Sequence, residues 1–90
     1  MSFQAMAWAI KQKLTTKEKF VLLILANYTD NESQCWPSIE RLCEDTGMSR
    51  PTVKRSLRKL VELGYLAKGR RYRDKMQTSN LYRLKDPDLP

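Results

Sequence analysis

The sequence contains no histidine, only two cysteines, only three glycines and no long hydrophobic run. Histidine is the commonest general base and metal ligand, so we predict neither an enzyme nor a metal or cofactor site. Cys35 and Cys43 have no further partners to complete a four-ligand zinc site, and we expect both thiols to be free. The longest apolar run, residues 20–26, is far below the roughly 18 residues that span a bilayer, so no membrane partner is expected.

The length and composition fit one small folded domain. Ninety residues with 41% hydrophobic and 9% aromatic content can form a core. We expect the domain to occupy residues 1–85, because Pro87 and Pro90 in residues 86–90 favour a loose tail or the start of a linker. The N-terminus lacks the basic and apolar segments of a secretory signal, which predicts a cytoplasmic location with reduced cysteines.

The positive charge is concentrated in one part of the chain. The chain has 17 basic and 10 acidic residues, a net charge of +7. Residues 49–75 hold ten basic residues against Glu62 and Asp74, which is +8, and the remainder is −1. Such a polarised charge indicates a polyanionic partner, with nucleic acid as the first hypothesis. The alternative is a cationic surface that serves solubility.

The N-terminal half of the chain has a helical pattern. Residues 2–13 are predicted to form an amphipathic helix with Ser2 as N-cap, and its expected apolar face is Phe3, Met6, Ala7, Ile10 and Leu14. Trp8 lies off that face, and packing is favoured over an exposed contact. Thr15 and Glu18 have the spacing of a capping box, which begins a buried helix at residues 16–28. The polar residues 29–34 are predicted to form a loop.

Two short helices joined by a tight turn follow. Ser38 caps the first, whose apolar face is Ile39, Leu42 and Cys43, and Gly47 ends it in a left-handed conformation. Ser49 caps the second helix, residues 49–63, which Gly64 ends. Its expected apolar face is Val53, Leu57, Leu60 and Val61. Such a turn sets the second helix at roughly 90–120° to the first, so it can enter a major groove.

A β-hairpin completes the predicted architecture. Residues 65–67 and 79–84 have strand character, and residues 68–75 form a long cationic tip between them. In the closing strand, Asn80, Tyr82 and Leu84 share one side. The fold class is therefore mainly α with a small β-hairpin, the layout of a winged helix-turn-helix.

The helical projection separates the residues that would face DNA from those that pack. The polar residues of 49–63 lie opposite the apolar face, and the N-terminal part of such a helix usually reaches base edges. We expect base contacts from Arg50, Thr52, Arg55 and Ser56. We expect phosphate contacts from Ser49, Lys54, Arg58 and Lys59, and wing contacts from Lys68, Arg70, Arg71, Tyr72, Arg73 and Lys75.

The residues also carry a family resemblance. Cys35-Trp36-Pro37-Ser38-Ile39, Ser49-Arg50-Pro51-Thr52-Val53 and Leu63-Gly64-Tyr65-Leu66, with a closing strand at 78–84, resemble the winged helix-turn-helix domains of phage and plasmid replication proteins and related small regulators. The resemblance covers residues 3–84. It implies double-stranded DNA binding through residues 49–59 and the wing, in a bacterial or phage-encoded protein that acts in transcription regulation or DNA replication.

Two other functions remain open from the sequence. A protein-interaction adaptor would use Trp8, Tyr28 and Trp36 as anchors. An RNA-binding role is less favoured, because a recognition helix cannot enter the narrow major groove of A-form RNA. A homodimer is expected if the target is palindromic, with the helix at residues 2–13 as the candidate interface. No small-molecule ligand is predicted.

Overall fold

The fold consists of four helices and a three-stranded antiparallel sheet. The computed structural model describes residues 3–30, 33–73 and 76–85. The mainly helical fold class with a small sheet is confirmed. In chain order the elements are α1 (Phe3–Ile10), α2 (Thr16–Tyr28), β1 (Gln34–Cys35), α3 (Ile39–Thr46), α4 (Arg50–Glu62), β2 (Leu66–Arg73) and β3 (Met76–Leu84).

Helix α2 is the centre of the core, as its apolar sequence predicts. It packs against α1, α3, α4 and β1. The fully buried side chains of the core come from several elements, and they include Leu22, Leu25, Leu42, Val53, Leu60 and Tyr82. Burial of this kind contributes roughly 1.5–3 kcal/mol per large apolar side chain. Phe20, in contrast, keeps 38% of its surface exposed, so α2 is not buried on every side.

Helix α1 is shorter than predicted and presents a different face. It ends at Ile10 because the amides of Lys11 and Gln12 bond to carbonyls three residues back, and these bonds tighten the chain out of the α-helix. Ala9 is fully buried, whereas Ile10 is 55% exposed. The predicted face is confirmed at Met6 and Leu14, which pack against the core, and is wrong at Ala7 and Ile10. The proposed Ser2 cap lies outside the described residues.

The capping box at the start of α2 differs from the expected pattern in its hydrogen bonds. Thr15 occupies the N-cap position, but its side chain makes no bond to a backbone amide. Its hydroxyl donates instead to the Glu18 carboxylate. The predicted residue pair is present, and it joins two side chains rather than a side chain and the backbone. The bounds of α2 match the prediction at both ends.

Strand β1 was not predicted, because its pairing is entirely long-range. Gln34 pairs with Arg83 and Cys35 with Tyr82, so β3 lies in the middle of the sheet order β1-β3-β2. The chain reaches this position through Ser33, which has a φ of 62°. Part of the predicted loop at 29–34 is therefore a strand, and a pair of residues carries too little periodicity to reveal one.

The hairpin strands are longer than predicted. Strand β2 continues to Arg73 and β3 begins at Met76, so the cationic segment is largely strand rather than a long tip. The backbone pairing runs from Leu66 with Leu84 to Arg73 with Met76, with an irregularity between Arg70 and Tyr72. The charged part of β2 was not predicted as a strand, because its sequence lacks the alternation of apolar and polar residues. Ladder hydrogen bonds do not require such alternation.

Candidate nucleic-acid interface

The turn between α3 and α4 is held by several local hydrogen bonds. Gly47 has a φ of 73°, and its amide bonds to the Cys43 carbonyl at 2.9 Å. The Thr46 hydroxyl donates to the Leu42 carbonyl at 2.6 Å and accepts from the Met48 amide at 3.2 Å. The side chains of Ser38 and Ser49 cap the two helices, as predicted. The turn therefore fixes the direction in which α4 leaves α3.

Helix α4 buries one face and exposes a cationic one. Val53, Leu57 and Leu60 are buried, as their spacing predicts. Val61 is 37% exposed, so its assignment to the buried face is wrong. The buried arc is centred about 30° away from the expected direction, on a 100° projection, because α4 packs on α2 as well as on α3. The exposed cations of α4 are Arg50, Lys54, Arg55, Arg58 and Lys59.

Ser56 lies within this buried arc. Only 5% of its surface is exposed, which leaves little for contact with a base edge. We therefore remove Ser56 from the expected base contacts. In the helical projection Ser56 lies at the edge of the predicted apolar face. The packing of α2 against α4 therefore determines whether this side chain is buried or exposed.

Thr52 and Ser49 form part of the helix cap. Their hydroxyl oxygens are 2.9 Å apart, and the Thr52 amide donates to the Ser49 hydroxyl at 3.4 Å. Thr52 is half-buried and Ser49 is exposed. The structure thus places both predicted contact residues at the N-terminal end of α4 and gives them a structural role there.

A groove on one side of α4 brings in a residue that the sequence did not indicate. It has a volume of about 390 Å³ and is formed by Thr15, Lys17 and Glu18 of the α2 end with Thr52, Arg55, Ser56 and Lys59 of α4. Lys17 is exposed, so it adds a third cation beside Arg55 and Lys59. Lys17 is distant in sequence from α4, so no local pattern could predict that it lies beside Arg55 and Lys59.

A second groove lies between the other side of α4 and the sheet. Its volume is about 430 Å³, and Lys54, Arg58 and Lys68 place three cations around it. Its further lining residues are Ile39, Leu57, Val61, Glu62, Asn80 and Tyr82. Burial raises the pKa of the Tyr82 hydroxyl, while a hydrogen bond from Asn80 lowers it less strongly. The Tyr82 hydroxyl therefore keeps its proton to a higher pH than a free tyrosine does.

Arg50 is paired with a carboxylate from α3. Its Nη1 atom lies 2.7 Å from Oε1 of Glu40, and both side chains are more than half exposed. The pKa of Glu40 is lowered, first by a bond from its own backbone amide, then by the bond and charge of Arg50, and least by Lys54. Arg50, which is predicted to contact a base, therefore forms an ion pair with Glu40.

The predicted wing residues lie in β2 or just after it. Lys68 is exposed and pairs in the backbone with Tyr82. Arg70, Arg71, Tyr72 and Arg73 belong to the same strand. Lys75 lies outside the described residues. The structure therefore places the basic segment on the strand that borders the second groove.

The aromatic residues of the adaptor hypothesis are mostly engaged within the fold. The ring of Trp8 packs at 6.0 Å from that of Tyr65, which confirms the preference for packing. The Tyr28 hydroxyl donates to Asp45 and accepts from Arg41 Nε at 3.0 Å. Trp36 is 41% exposed. Trp8 and Tyr28 are therefore engaged within the fold, whereas Trp36 keeps an exposed surface.

The described ranges contain neither a metal-ligand cluster nor a membrane-spanning helix. Residues 3–30, 33–73 and 76–85 contain no group of three or more histidine, cysteine or acidic residues that could hold a metal ion. In the same part of the chain, no helix is both long and apolar enough to cross a membrane.

A protein-family model matches a large part of the chain. Residues 12–66, more than half of the chain, match the family model described as a helix-turn-helix domain. The matched segment begins before α2 and ends at the first residue of β2. No curated protein and no solved structure matches the chain. The predicted helix-turn-helix is confirmed, and the chain belongs to the helix-turn-helix domain family, a domain type that indicates DNA binding.

Proposed function

We propose that the chain binds double-stranded DNA sequence-specifically, with α4 in the major groove and the β2–β3 hairpin as a wing. The observation that carries this proposal is the position of the cationic grooves. They lie on the two sides of α4, one with Lys17 and one with Lys68. A helix in a major groove has a phosphate backbone on each side, and each groove would meet one of them.

Within this proposal, base contacts come from Arg50, Thr52 and Arg55. Arg55 is exposed and lies one turn beyond the N-terminal residues of α4, where a long side chain can reach a base edge. A bidentate arginine–guanine pair discriminates against other bases by about 1–3 kcal/mol. Phosphate contacts come from Ser49, Lys54, Arg58 and Lys59 in α4, with Lys17 added from α2.

The basic wing is proposed to add affinity rather than sequence information. Its contacts are Lys68, Arg70, Arg71, Tyr72, Arg73 and Lys75. Phosphate neutralisation by such residues releases counterions and steepens the salt dependence of binding. We propose that the whole unit, residues 1–85, acts without catalysis as a transcriptional regulator or as the origin-binding module of a replication protein.

The experiment that tests this proposal is selection of bound sequences from a random duplex library, followed by competition with RNA duplexes. We expect a defined motif to be enriched and the selected DNA to outcompete RNA. Absence of an enriched motif would contradict specific recognition, and equal competition by RNA would contradict the choice of DNA.

A homodimer on a palindromic site is a further part of the proposal. One recognition helix reads about one half-site, so dimers are common among such proteins. Ile10 is 55% exposed on α1, which makes this helix the candidate interface. Sedimentation of the protein with a selected palindrome tests the stoichiometry, and one protomer per palindrome would contradict the dimer.

A further inference from the structure

The pair between Glu40 and Arg50 joins the two helices of the helix-turn-helix near their N-terminal ends. Glu40 is the second residue of α3 and Arg50 is the first residue of α4. Among the described residues, two ion pairs are present. The pair of Arg50 with Glu40 involves a cation of α4, whereas the pair of Arg41 with Asp45 lies within α3. The exposed cations Lys54, Arg55, Arg58 and Lys59 have no such ion pair there.

A carboxylate beside Arg50 has different effects on the two kinds of acceptor that DNA offers. A phosphate carries a full negative charge, so its approach to Arg50 is opposed by the charge of Glu40. Guanine offers the neutral acceptors O6 and N7, which a nearby carboxylate opposes far less. The bond to Glu40 occupies Nη1 of Arg50, and the guanidinium has further donors on its other nitrogens.

From this geometry we propose that Glu40 is a specificity-determining residue, which restrains Arg50 from binding phosphate and thereby favours its use on a base. The inference rests on the proposed function. It gives α3 a role in discriminating between the target sequence and other DNA. Repulsion between Glu40 and a phosphate near Arg50 would weaken binding to non-target DNA.

The variant that tests the inference is Glu40→Gln, which keeps the side-chain shape and removes the charge. With the restraint removed, Arg50 becomes available to phosphates. The salt slope on a scrambled duplex should therefore steepen by about 0.9, equivalent to roughly eightfold tighter binding at 0.1 M salt. Affinity for the selected duplex should rise by less, so the ratio of specific to non-specific affinity falls.

Two comparisons separate restraint from a general change in charge. Glu44→Gln removes the same charge from the next turn of α3 and should alter both duplex affinities by the same small factor. In an Arg50→Gln background, Glu40→Gln should have no larger effect than Glu44→Gln. A thermal melt followed by circular dichroism verifies that each variant is folded.

Three outcomes would overturn the role of Glu40. The first is an equal change in both affinities for Glu40→Gln and Glu44→Gln. The second is an effect of Glu40→Gln that persists without Arg50. The third is weaker binding to the selected duplex, which would indicate that Glu40 itself accepts from a cytosine amino group. A wild-type protein with no preference between the duplexes would overturn this inference and the proposed function together, whereas the three outcomes above leave the proposed function intact.

Discussion

Arg55 and Lys59 lie on one exposed side of α4, yet we expect their substitutions to have different effects. Arg55→Ala should relax sequence preference at one base pair, at a cost of about 1–3 kcal/mol on the selected duplex, because a base contact is lost. Lys59→Gln should weaken all duplexes similarly and reduce the salt slope by about 1. Titration of each variant with the selected and the scrambled duplex measures both effects.

The two substitutions are matched controls for each other, because both remove one positive charge from the same helix face. If Arg55→Ala weakened the two duplexes equally, Arg55 would be a phosphate contact. If Lys59→Gln changed the base preference, the assignment of Lys59 to the backbone would be wrong.

Cys35 is buried in β1 and gives a prediction about alkaline stability. Burial, with a smaller effect from the charge of Asp30, raises the pKa of its thiol from 9.0 to about 12. The unfolded chain therefore loses this proton at lower pH than the folded one. The stabilising contribution is fully present below pH 9 and is lost as the pH rises from about 9 to about 12.

The measurement is the free energy of unfolding by urea between pH 8 and pH 10.5, for the wild type, Cys35→Ala and Cys43→Ala. We expect the decline with pH to be shallower in Cys35→Ala than in the other two. Tyr82, whose pKa is also raised by burial, keeps part of the decline in all three proteins. Identical slopes for Cys35→Ala and Cys43→Ala would contradict the account of Cys35.

At the level of the helices and strands, the turn residue Gly47 sets the direction of α4. Its φ of 73° is left-handed, and an added Cβ would meet no atom within 4 Å. Gly47→Ala should therefore destabilise the fold by about 1–2 kcal/mol through backbone strain alone, and Gly47→Asn should cost less. Urea unfolding measures both. Equal costs for the two variants would show that the strain is not the cause.

Helices α2, α3 and α4 could be predicted closely from local signals, whereas α1 was predicted too long and the sheet was predicted only as part of a hairpin. Helix ends require specific residues, and the sequence provides them as the caps Ser38 and Ser49 and the C-terminal Gly47. These residues predict the bounds of α3 and α4 to within one residue at each end. Strand β1 depends on pairing with residues near the end of the chain, and the basic half of β2 has no apolar alternation. Such pairings are decided by tertiary packing, which local periodicity does not contain.

The site could be predicted in part for the same reason. The projection of α4 identified its exposed cations correctly, because helix geometry determines which residues share a face. The burial of Ser56, the groove with Lys17 and the pair between Arg50 and Glu40 depend on how α2 and α3 pack against α4. Those contacts join residues that are distant in sequence or lie on separate helices.

Across the chain as a whole, the net charge of +7 comes from one stretch, residues 49–75, which carries +8 while the remainder is −1. Arg55 and Lys59 border the groove with Lys17 of α2, and Lys54 and Arg58 border the groove with Lys68 of β2. Replacing Arg70, Arg71 and Arg73 of the wing by glutamine should reduce the salt slope by about 2.7, if each neutralises one phosphate. The enriched DNA motif should stay the same. A changed motif would show that the wing reads bases.

The salt dependence of duplex binding by the wild-type protein tests whether this surface holds DNA. The cations proposed to contact phosphate are Lys54, Arg58 and Lys59 of α4, Lys17 of α2, and Lys68, Arg70, Arg71, Arg73 and Lys75 of the wing. If each neutralises one phosphate, the logarithm of the binding constant should fall with the logarithm of salt concentration with a slope of about −8. Lys54, Arg58 and Lys59 alone would give about −3. The selected duplex should also bind more tightly than a scrambled one throughout the titration. A slope shallower than about −2, or equal binding of the two duplexes, would contradict the assignment of this surface to sequence-specific DNA binding.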